Sequence, residues 1–99
     1  MLREDVLNFI QSFTDFGKAV CDCFMYGNCY WFAHILANRF NGTIVYDVVA
    51  NHFACRISGI VYDITGDTST VYHWEDWDFL VQNYDPLVIK RIYRDCINK

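Results

Sequence analysis

The chain has 99 residues, is 54% hydrophobic and 18% aromatic, and carries a formal charge of −4. This length predicts one domain over residues 1–99, and the apolar content is enough for a packed core, so a disordered chain is excluded. The basic side chains form no stripe, which argues against nucleic-acid binding, and no apolar run reaches the roughly 18 residues of a membrane span.

The amino terminus and the cysteines indicate the cellular compartment in which the protein is expected. The first residues, MLREDVLNF, place charges where the apolar core of a secretion signal would begin. The five cysteines are odd in number and irregularly spaced. These features together predict free thiols in a reducing compartment, the cytoplasm.

Three helices are predicted in the first part of the chain. The first has an apolar stripe formed by Leu2, Val6, Phe9, Ile10 and Phe13. A second is predicted from Asp15 towards Phe24, and Gly27-Asn28 separates it from a third that begins near Cys29. The third helix is expected to turn five apolar side chains inward: Trp31, Phe32, Ile35, Leu36 and Phe40. Asn41-Gly42 is a typical helix stop.

The pattern then changes to short segments rich in β-branched and aromatic residues. Strands are predicted over 43–49 (TIVYDVV), 52–57 (HFACRI) and 60–64 (IVYDI). Ser58-Gly59 has the length and residue type of a two-residue hairpin loop. These segments therefore predict an antiparallel meander.

Two further helices are predicted after the strands. The first spans about Glu75 to Gln82, and Asp85-Pro86 supplies an N-cap and a first-turn proline for the last helix. Helices, then an antiparallel meander, then helices define an α+β domain.

Cys29 lies where a cysteine can become a nucleophile. An ordinary thiol is only a few per cent ionised at neutral pH, and both a helix N-terminus and a nearby imidazolium lower its pKa. Asn28 is a suitable N-cap, so Cys29 falls in the first helical turn, where its N–H is available to an oxyanion. Gly27 would allow a substrate backbone to approach closely.

Of the three histidines, His52 is the best candidate for the base. His34 is on the same helix as Cys29, five residues on, and faces away from it, and no other feature points to His73. His52 opens a strand. If Ile57 pairs with Ile60 across the hairpin, Asp63 lies opposite Ala54, on the same face as His52 and diagonal to it. A carboxylate at Asp63 would then orient the imidazole and stabilise its charged form.

Simpler explanations of the same residues remain open. A buried cysteine is often a small apolar residue, and His52 and Asp63 also fit a surface histidine and a turn-side aspartate. No cofactor is predicted. No metal is predicted either, because Cys21 and Cys23 point about 200° apart on a helix and His52 and Cys55 face opposite sides of a strand.

The segment YGNCYWFA (26–33) resembles the active-site segment of the transglutaminase-like superfamily, and also that of papain-like cysteine proteases. NHFACRISGIVYDITGD (51–67) is similar to the histidine strand, turn and aspartate strand of the same superfamily. The resemblance covers roughly residues 20–67. It implies a papain-like core in which the cysteine helix packs on a small antiparallel sheet, with Cys29 as nucleophile, His52 as general base and acid, and Asp63 as its orienter.

Two classes of function follow from this resemblance. The first is a cysteine acyl-transfer enzyme, which would act as a thiol peptidase, isopeptidase, amidase or transglutaminase on a protein or peptide. Its substrate contacts are predicted at Tyr26, Gly27, Asn28 and Tyr30. The second is a catalytically silent protein of the same fold, which binds a partner protein as an inhibitor or effector. The chain lacks the upstream side chains that supply the oxyanion donor in the superfamily: Cys23 occupies the position of the papain-like glutamine.

Overall fold

The computed structural model describes residues 2–25, 28–70 and 73–97. These residues form an α+β domain, as predicted, with five helices and one antiparallel sheet. The helices are α1 (Leu2–Thr14), α2 (Lys18–Met25), α3 (Cys29–Phe40), α4 (Trp77–Asn83) and α5 (Pro86–Ile97). The strands are β1 (Thr43–Asp47), β2 (His52–Ile57), β3 (Ile60–Asp63), β4 (Gly66–Asp67) and β5 (Glu75–Asp76). None of the helices in these ranges has the length and apolar character that a bilayer span requires.

The first two helices are separated by a tight turn that the apolar pattern did not reveal. The backbone N–H groups of Phe16 and Gly17 bond back to the carbonyls of Phe13 and Thr14, which closes α1. Gly17 then takes a φ of 110°, a conformation that glycine adopts readily. For this reason α2 begins at Lys18, three residues later than the predicted start at Asp15.

The third helix packs on the sheet and ends where the sequence indicates. Asn41 adopts the left-handed conformation at its C-terminus, and its N–H bonds to the Ala37 carbonyl. The predicted inward face is wrong at Trp31, which is 47% exposed. Phe32 and Leu36 face the core, and the 100° step between neighbouring helical residues carries Trp31 around towards solvent.

The hairpin between β2 and β3 has the predicted register. Ser58 and Gly59 both have positive φ angles, 51° and 82°, as a type I′ turn requires. Ile57 pairs with Ile60, and the register continues through Cys55 and Tyr62. Every second residue of each strand therefore faces the same side of the sheet as predicted.

The ends of the sheet differ from the prediction. The five strands lie in the order β4-β3-β2-β1-β5. β1 stops at Asp47 because this side chain turns the chain: its Oδ1 accepts the N–H groups of Val49 (2.8 Å) and Ala50 (3.2 Å). The predicted helix start at Glu75 is wrong, since Glu75–Asp76 pairs with β1 as β5 and the helix begins at Trp77. Two-residue strands such as β4 and β5 are too short to leave a periodic pattern.

The two faces of the sheet are covered differently. On one face α3 lies against β2, with α1 and α5 packed around it. On the other face Val45, Ala54 and Val61 form a smaller cluster covered by Trp74. His52 and Asp63 belong to this second face by strand alternation, at the end of the sheet where α3 begins.

Gly42 fits a site with no room for a side chain. A Cβ at this position would lie 2.8 Å from the carbonyl oxygen of Arg56 and from Cγ1 of Ile57. We expect Gly42→Ala to reduce the free energy of unfolding by about 1–3 kcal/mol, measured by urea denaturation, because the packed backbone must move. Gly59→Asn is the control, since Asn tolerates a positive φ and nothing lies within 4 Å of that Cβ. Equal stability of Gly42→Ala and the wild type would contradict this close packing.

Candidate active site

Cys29 is the first residue of α3 and is 4% exposed. The N–H groups of Trp31 and Phe32 bond to the carbonyl of Asn28, which places Asn28 at the predicted N-cap position. Within the described residues, however, the Asn28 side chain makes no capping bond: its Nδ2 donates to Sγ of Cys23 at 3.3 Å. The sulfur of Cys29 nevertheless lies at the positive end of the helix dipole.

His52 and Asp63 are brought together as the hairpin register predicts. Nε2 of His52 lies 2.9 Å from Oδ2 of Asp63, and both side chains are buried, at 4% and 2% exposure. A buried carboxylate and imidazole at this distance form a charge-assisted hydrogen bond. The predicted proximity of these two residues is confirmed.

Thr65 fixes the other oxygen of the same carboxylate. Its backbone N–H donates to Oδ1 of Asp63 at 2.7 Å, and its hydroxyl donates to the same oxygen. Asp63 therefore accepts hydrogen bonds on both oxygens and is held in one orientation. Thr65 is not among the site residues predicted from the sequence, although an aspartate two residues before a threonine is a recognisable turn pattern.

Cys29 and His52 shift each other's ionisation: the hydrogen bond and the charge of each residue are among the causes that shift the pKa of the other. Burial lowers the pKa of His52, but the hydrogen bonds and negative charges of Asp63 and Cys29 outweigh it and raise the pKa to about 9. The imidazole is therefore charged at neutral pH.

The same contacts ionise Cys29. Its pKa is lowered to about 5, first by a hydrogen bond from the Cys96 side chain, against the opposing effect of burial, and then by the hydrogen bonds of His52 and of the Phe53 backbone and by the charge of His52. With a thiolate above about pH 5 and an imidazolium below about pH 9, the two residues form an ion pair across neutral pH. Cys96 is not among the site residues predicted from the sequence, because no short-range pattern connects α5 with the start of α3.

Cys55 does not share this environment. All five cysteines are free. Cys55 is also buried, but among apolar side chains, and burial raises its pKa to about 12. The structure therefore contains a matched pair of buried thiols, one ionised by its neighbours and one neutral.

Trp74 lies beside this cluster and borders a cavity. Its ring centroid is 6.0 Å from that of His52, and its Nε1 donates to the Thr68 carbonyl at 3.0 Å. Next to it is a cavity of about 660 Å³, lined by Asp47, Val48, Val49, His73, Trp74 and Glu75. A cavity of this size accommodates a small ligand or a short peptide segment.

The remaining predicted residues are placed as follows. Tyr26 and Gly27 lie outside the described residues. Tyr30 points into the contact between α3 and α5, where its ring lies 5.2 Å from that of Tyr93 and its hydroxyl lies 2.7 Å from Nε2 of His34. His73 contributes its backbone N–H to Oδ2 of Asp47. Among the described residues, no group of three metal-ligating side chains is found.

Fold and site together define an α+β domain that holds a buried, hydrogen-bonded cysteine, histidine and aspartate at the start of a helix and on two adjacent strands. A family model described as Phage YunG-like protein matches residues 6–96. The chain therefore belongs to the Phage YunG-like family. No curated protein and no solved structure matches it.

Proposed function

We propose that this protein is a cysteine acyl-transfer enzyme with a minimal papain-like or transglutaminase-like core, in which Cys29 is the nucleophile. The observation that carries the proposal is the buried His52–Asp63 hydrogen bond beside the helix start that holds Cys29. It is supported by a pKa lowered to about 5 for the Cys29 thiol and raised to about 9 for His52. A thiolate held beside a charged histidine whose orientation a carboxylate fixes is the arrangement that acyl transfer requires.

The reaction runs through a thioester. The Cys29 thiolate attacks the acyl carbon of an amide, and the oxyanion forms next to the backbone N–H at the start of α3. The His52 imidazolium, hydrogen-bonded to the sulfur, gives its proton to the departing amine as the carbon–nitrogen bond breaks. Neutral His52 then takes a proton from water or from an acceptor amine, whose attack on the thioester returns the thiolate. Asp63 holds the imidazole ring in place throughout through its hydrogen bond to Nε2.

The surroundings favour a protein or peptide amide as the substrate. The cavity beside Trp74 combines the exposed valines Val48 and Val49 with the carboxylate of Glu75. Apolar contact and a negative charge suit an extended segment with apolar and basic side chains. The five free thiols fit the reducing environment of the cytoplasm.

The test is the pH dependence of cysteine alkylation. At about pH 6 iodoacetamide should label Cys29 and leave Cys55 unmodified, because only Cys29 has a pKa near 5 whereas that of Cys55 is about 12. His52→Ala should slow the labelling of Cys29 at this pH by roughly tenfold. The fraction of Cys29 present as thiolate should fall by more than tenfold. The labelling rate falls less than this fraction, because a more basic thiolate is intrinsically more nucleophilic and the hydrogen bonds of Cys96 and Phe53 still lower the thiol pKa.

Peptide mapping by mass spectrometry identifies the labelled cysteine, and His34→Ala is the matched histidine control. The enzyme proposal fails if Cys29 reacts only near pH 8.5, the ordinary range of a free thiol, or if His52→Ala leaves its rate unchanged.

For the acyl-transfer rate itself, we expect a bell-shaped pH profile. Its acid limb reflects protonation of the Cys29 thiolate, whose pKa is about 5, and its alkaline limb reflects deprotonation of His52, whose pKa is about 9.

A second function is a partner-binding protein that retains this core without turnover. One observation favours it: Val49 is 93% exposed on the turn between β1 and β2, next to the cavity, whereas Cys29 is almost fully buried. Exposed apolar side chains around a concave surface are typical of binding sites. A protein of this kind would show the reactive Cys29 thiolate but no release of product from an acylated enzyme.

A further inference from the structure

A second buried thiol lies next to Cys29. Cys96 is in the last turn of α5 and is 2% exposed, and it belongs to the same cluster of packed side chains as Cys29. A side-chain hydrogen bond of Cys96 is the first cause that lowers the pKa of the Cys29 thiol. The mechanism proposed above uses only one of the two sulfurs.

Separate contacts bring both sulfurs to the same stretch of backbone. Sγ of Cys96 donates to the carbonyl of Asn51 at 3.5 Å and contacts Oδ1 of the same residue at 3.9 Å. The sulfur of Cys29 accepts a hydrogen bond from the backbone N–H of Phe53. Cys96 thus contacts Asn51, the residue before His52, and Cys29 interacts with Phe53, the residue after it.

The rest of the packing favours this pair over the alternatives. Cys55 lies in the cluster formed with Phe32, Leu36 and Tyr62, apart from the cluster that holds Cys29 and Cys96. Cys23 is the main competitor, because its sulfur accepts the Asn28 side chain at 3.3 Å, one residue from Cys29. Cys96 has the advantage that it shares the cluster of Cys29 and is the first cause that lowers the pKa of the Cys29 thiol.

We propose that Cys29 and Cys96 form a reversible disulfide when a hydroperoxide oxidises Cys29, so that the pair is a redox modification site that switches the nucleophile off. Cys29 is the residue oxidised first and Cys96 is the resolving thiol. Cys96 lies in the last turn of α5 and Cys29 is the first residue of α3, so the disulfide would join two helix ends and involve no strand.

The chemistry balances with one peroxide and two thiols. The Cys29 thiolate attacks one peroxide oxygen, the O–O bond breaks, and Cys29 becomes a sulfenic acid. The departing hydroxide or alkoxide takes a proton from the His52 imidazolium and leaves as water or an alcohol. Cys96 then loses its proton, its sulfur attacks the sulfur of Cys29, and the S–O bond breaks with release of water. A dithiol reductant returns both residues to thiols.

The inference uses the reactive thiolate but not acyl transfer, so it is tested without a substrate. The reduced full-length protein is treated with one equivalent of hydrogen peroxide, and free thiols are counted before and after. We expect two of the five thiols to be lost. Peptide mapping without reductant should show a peptide pair joining Cys29 to Cys96, and dithiothreitol should restore both thiols.

In Cys96→Ser, one equivalent of peroxide should stop at a Cys29 sulfenic acid that dimedone traps, and a second equivalent should give a sulfinic acid that dithiothreitol does not reverse. Cys55→Ser should behave as the wild type. A Cys21→Ser/Cys23→Ser/Cys55→Ser variant retains only the proposed pair and must still form its disulfide within one chain. A Cys23–Cys29 disulfide in the wild type, over-oxidation of Cys29 with Cys96 still free, or no reaction of Cys29 would each overturn the proposal. Acyl transfer by the reduced protein is measured separately, so the two proposals fail independently.

Discussion

Cys29→Ser is expected to reduce acyl transfer by on the order of 10⁴-fold, the largest effect that we predict for a single substitution. Serine is close to cysteine in size and retains a hydrogen-bonding group, so the contacts with His52 and Cys96 can persist. What disappears is the ionised nucleophile, because the same neighbours that lower a thiol pKa to about 5 cannot ionise a hydroxyl. The loss is therefore chemical and not structural.

The measurement needs no knowledge of the natural substrate. An activated ester such as p-nitrophenyl acetate should give a burst of p-nitrophenol and an acetyl group on Cys29, detected by mass spectrometry. Cys55→Ser, which removes the neutral buried thiol, should retain the burst. A burst that survives in Cys29→Ser, or an acetyl group on another cysteine, would place the nucleophile elsewhere. A burst without subsequent turnover, whichever amine or water is supplied, would favour the partner-binding function.

Asp63→Ala is expected to lower the free energy of unfolding by about 3–5 kcal/mol at neutral pH. This carboxylate is 2% exposed, bonds to His52 at 2.9 Å and accepts the backbone N–H of Thr65 at 2.7 Å. Alanine removes the acceptor that Asp63 provides to the buried His52 ring and to the backbone N–H of Thr65. The hydrogen bond and charge of Asp63 are among the causes that raise the pKa of His52 to about 9, so this pKa should fall in the variant. The imidazolium then loses its proton at a lower pH.

Urea denaturation gives the stability, and NMR titration of the histidine ring gives the pKa of His52. Asp63→Asn is the matched control: its amide oxygen can still accept from Thr65, so we expect a smaller loss of stability, with the negative charge removed. Thr65→Ala should cost about 1 kcal/mol and leave the histidine charged, because it removes one hydroxyl bond and not the carboxylate. If the pKa of His52 is the same in Asp63→Ala and the wild type, Asp63 does not stabilise the imidazolium.

The two kinds of measurement, reaction rate on the one hand and stability and pKa on the other, distinguish the roles proposed for the site residues. In the proposed mechanism Cys29 attacks the acyl carbon and is tested by acyl transfer, whereas Asp63 acts through His52 and is tested by a pKa and a free energy of unfolding. Cys96 has two proposed roles, since its hydrogen bond is the first cause of the low pKa of Cys29 and its sulfur is the partner proposed for oxidation. If both proposals hold, this domain combines a nucleophile and its redox control within one buried cluster.

Local sequence patterns account for much of the structure. The break before Cys29, the stop at Asn41 and the loop at Ser58-Gly59 are each specified by one or two residues with strong conformational preferences. Once the loop is known, the alternation of side chains along two strands determines that His52 and Asp63 share a face. The contact between these two residues was therefore predictable from a few neighbouring positions.

The contacts that complete the site were not predictable in this way. Cys96 reaches Cys29 because α5 packs against α3, and Trp74 reaches His52 because β5 pairs with β1 and leads the preceding loop back across the sheet. The prediction that Trp31 faces inward was wrong for the same reason, because the apolar pattern of α3 does not determine which side of the helix the sheet covers.

The sequence by itself thus determined the α+β class, the hairpin register and the pairing of His52 with Asp63, because short-range backbone preferences and strand alternation control all three. Only the tertiary structure decided that Cys29 is ionised and Cys55 is not. The physical reason is that a thiol pKa depends on the hydrogen-bond donors, charges and burial that surround the sulfur, and these come from segments far apart in the chain.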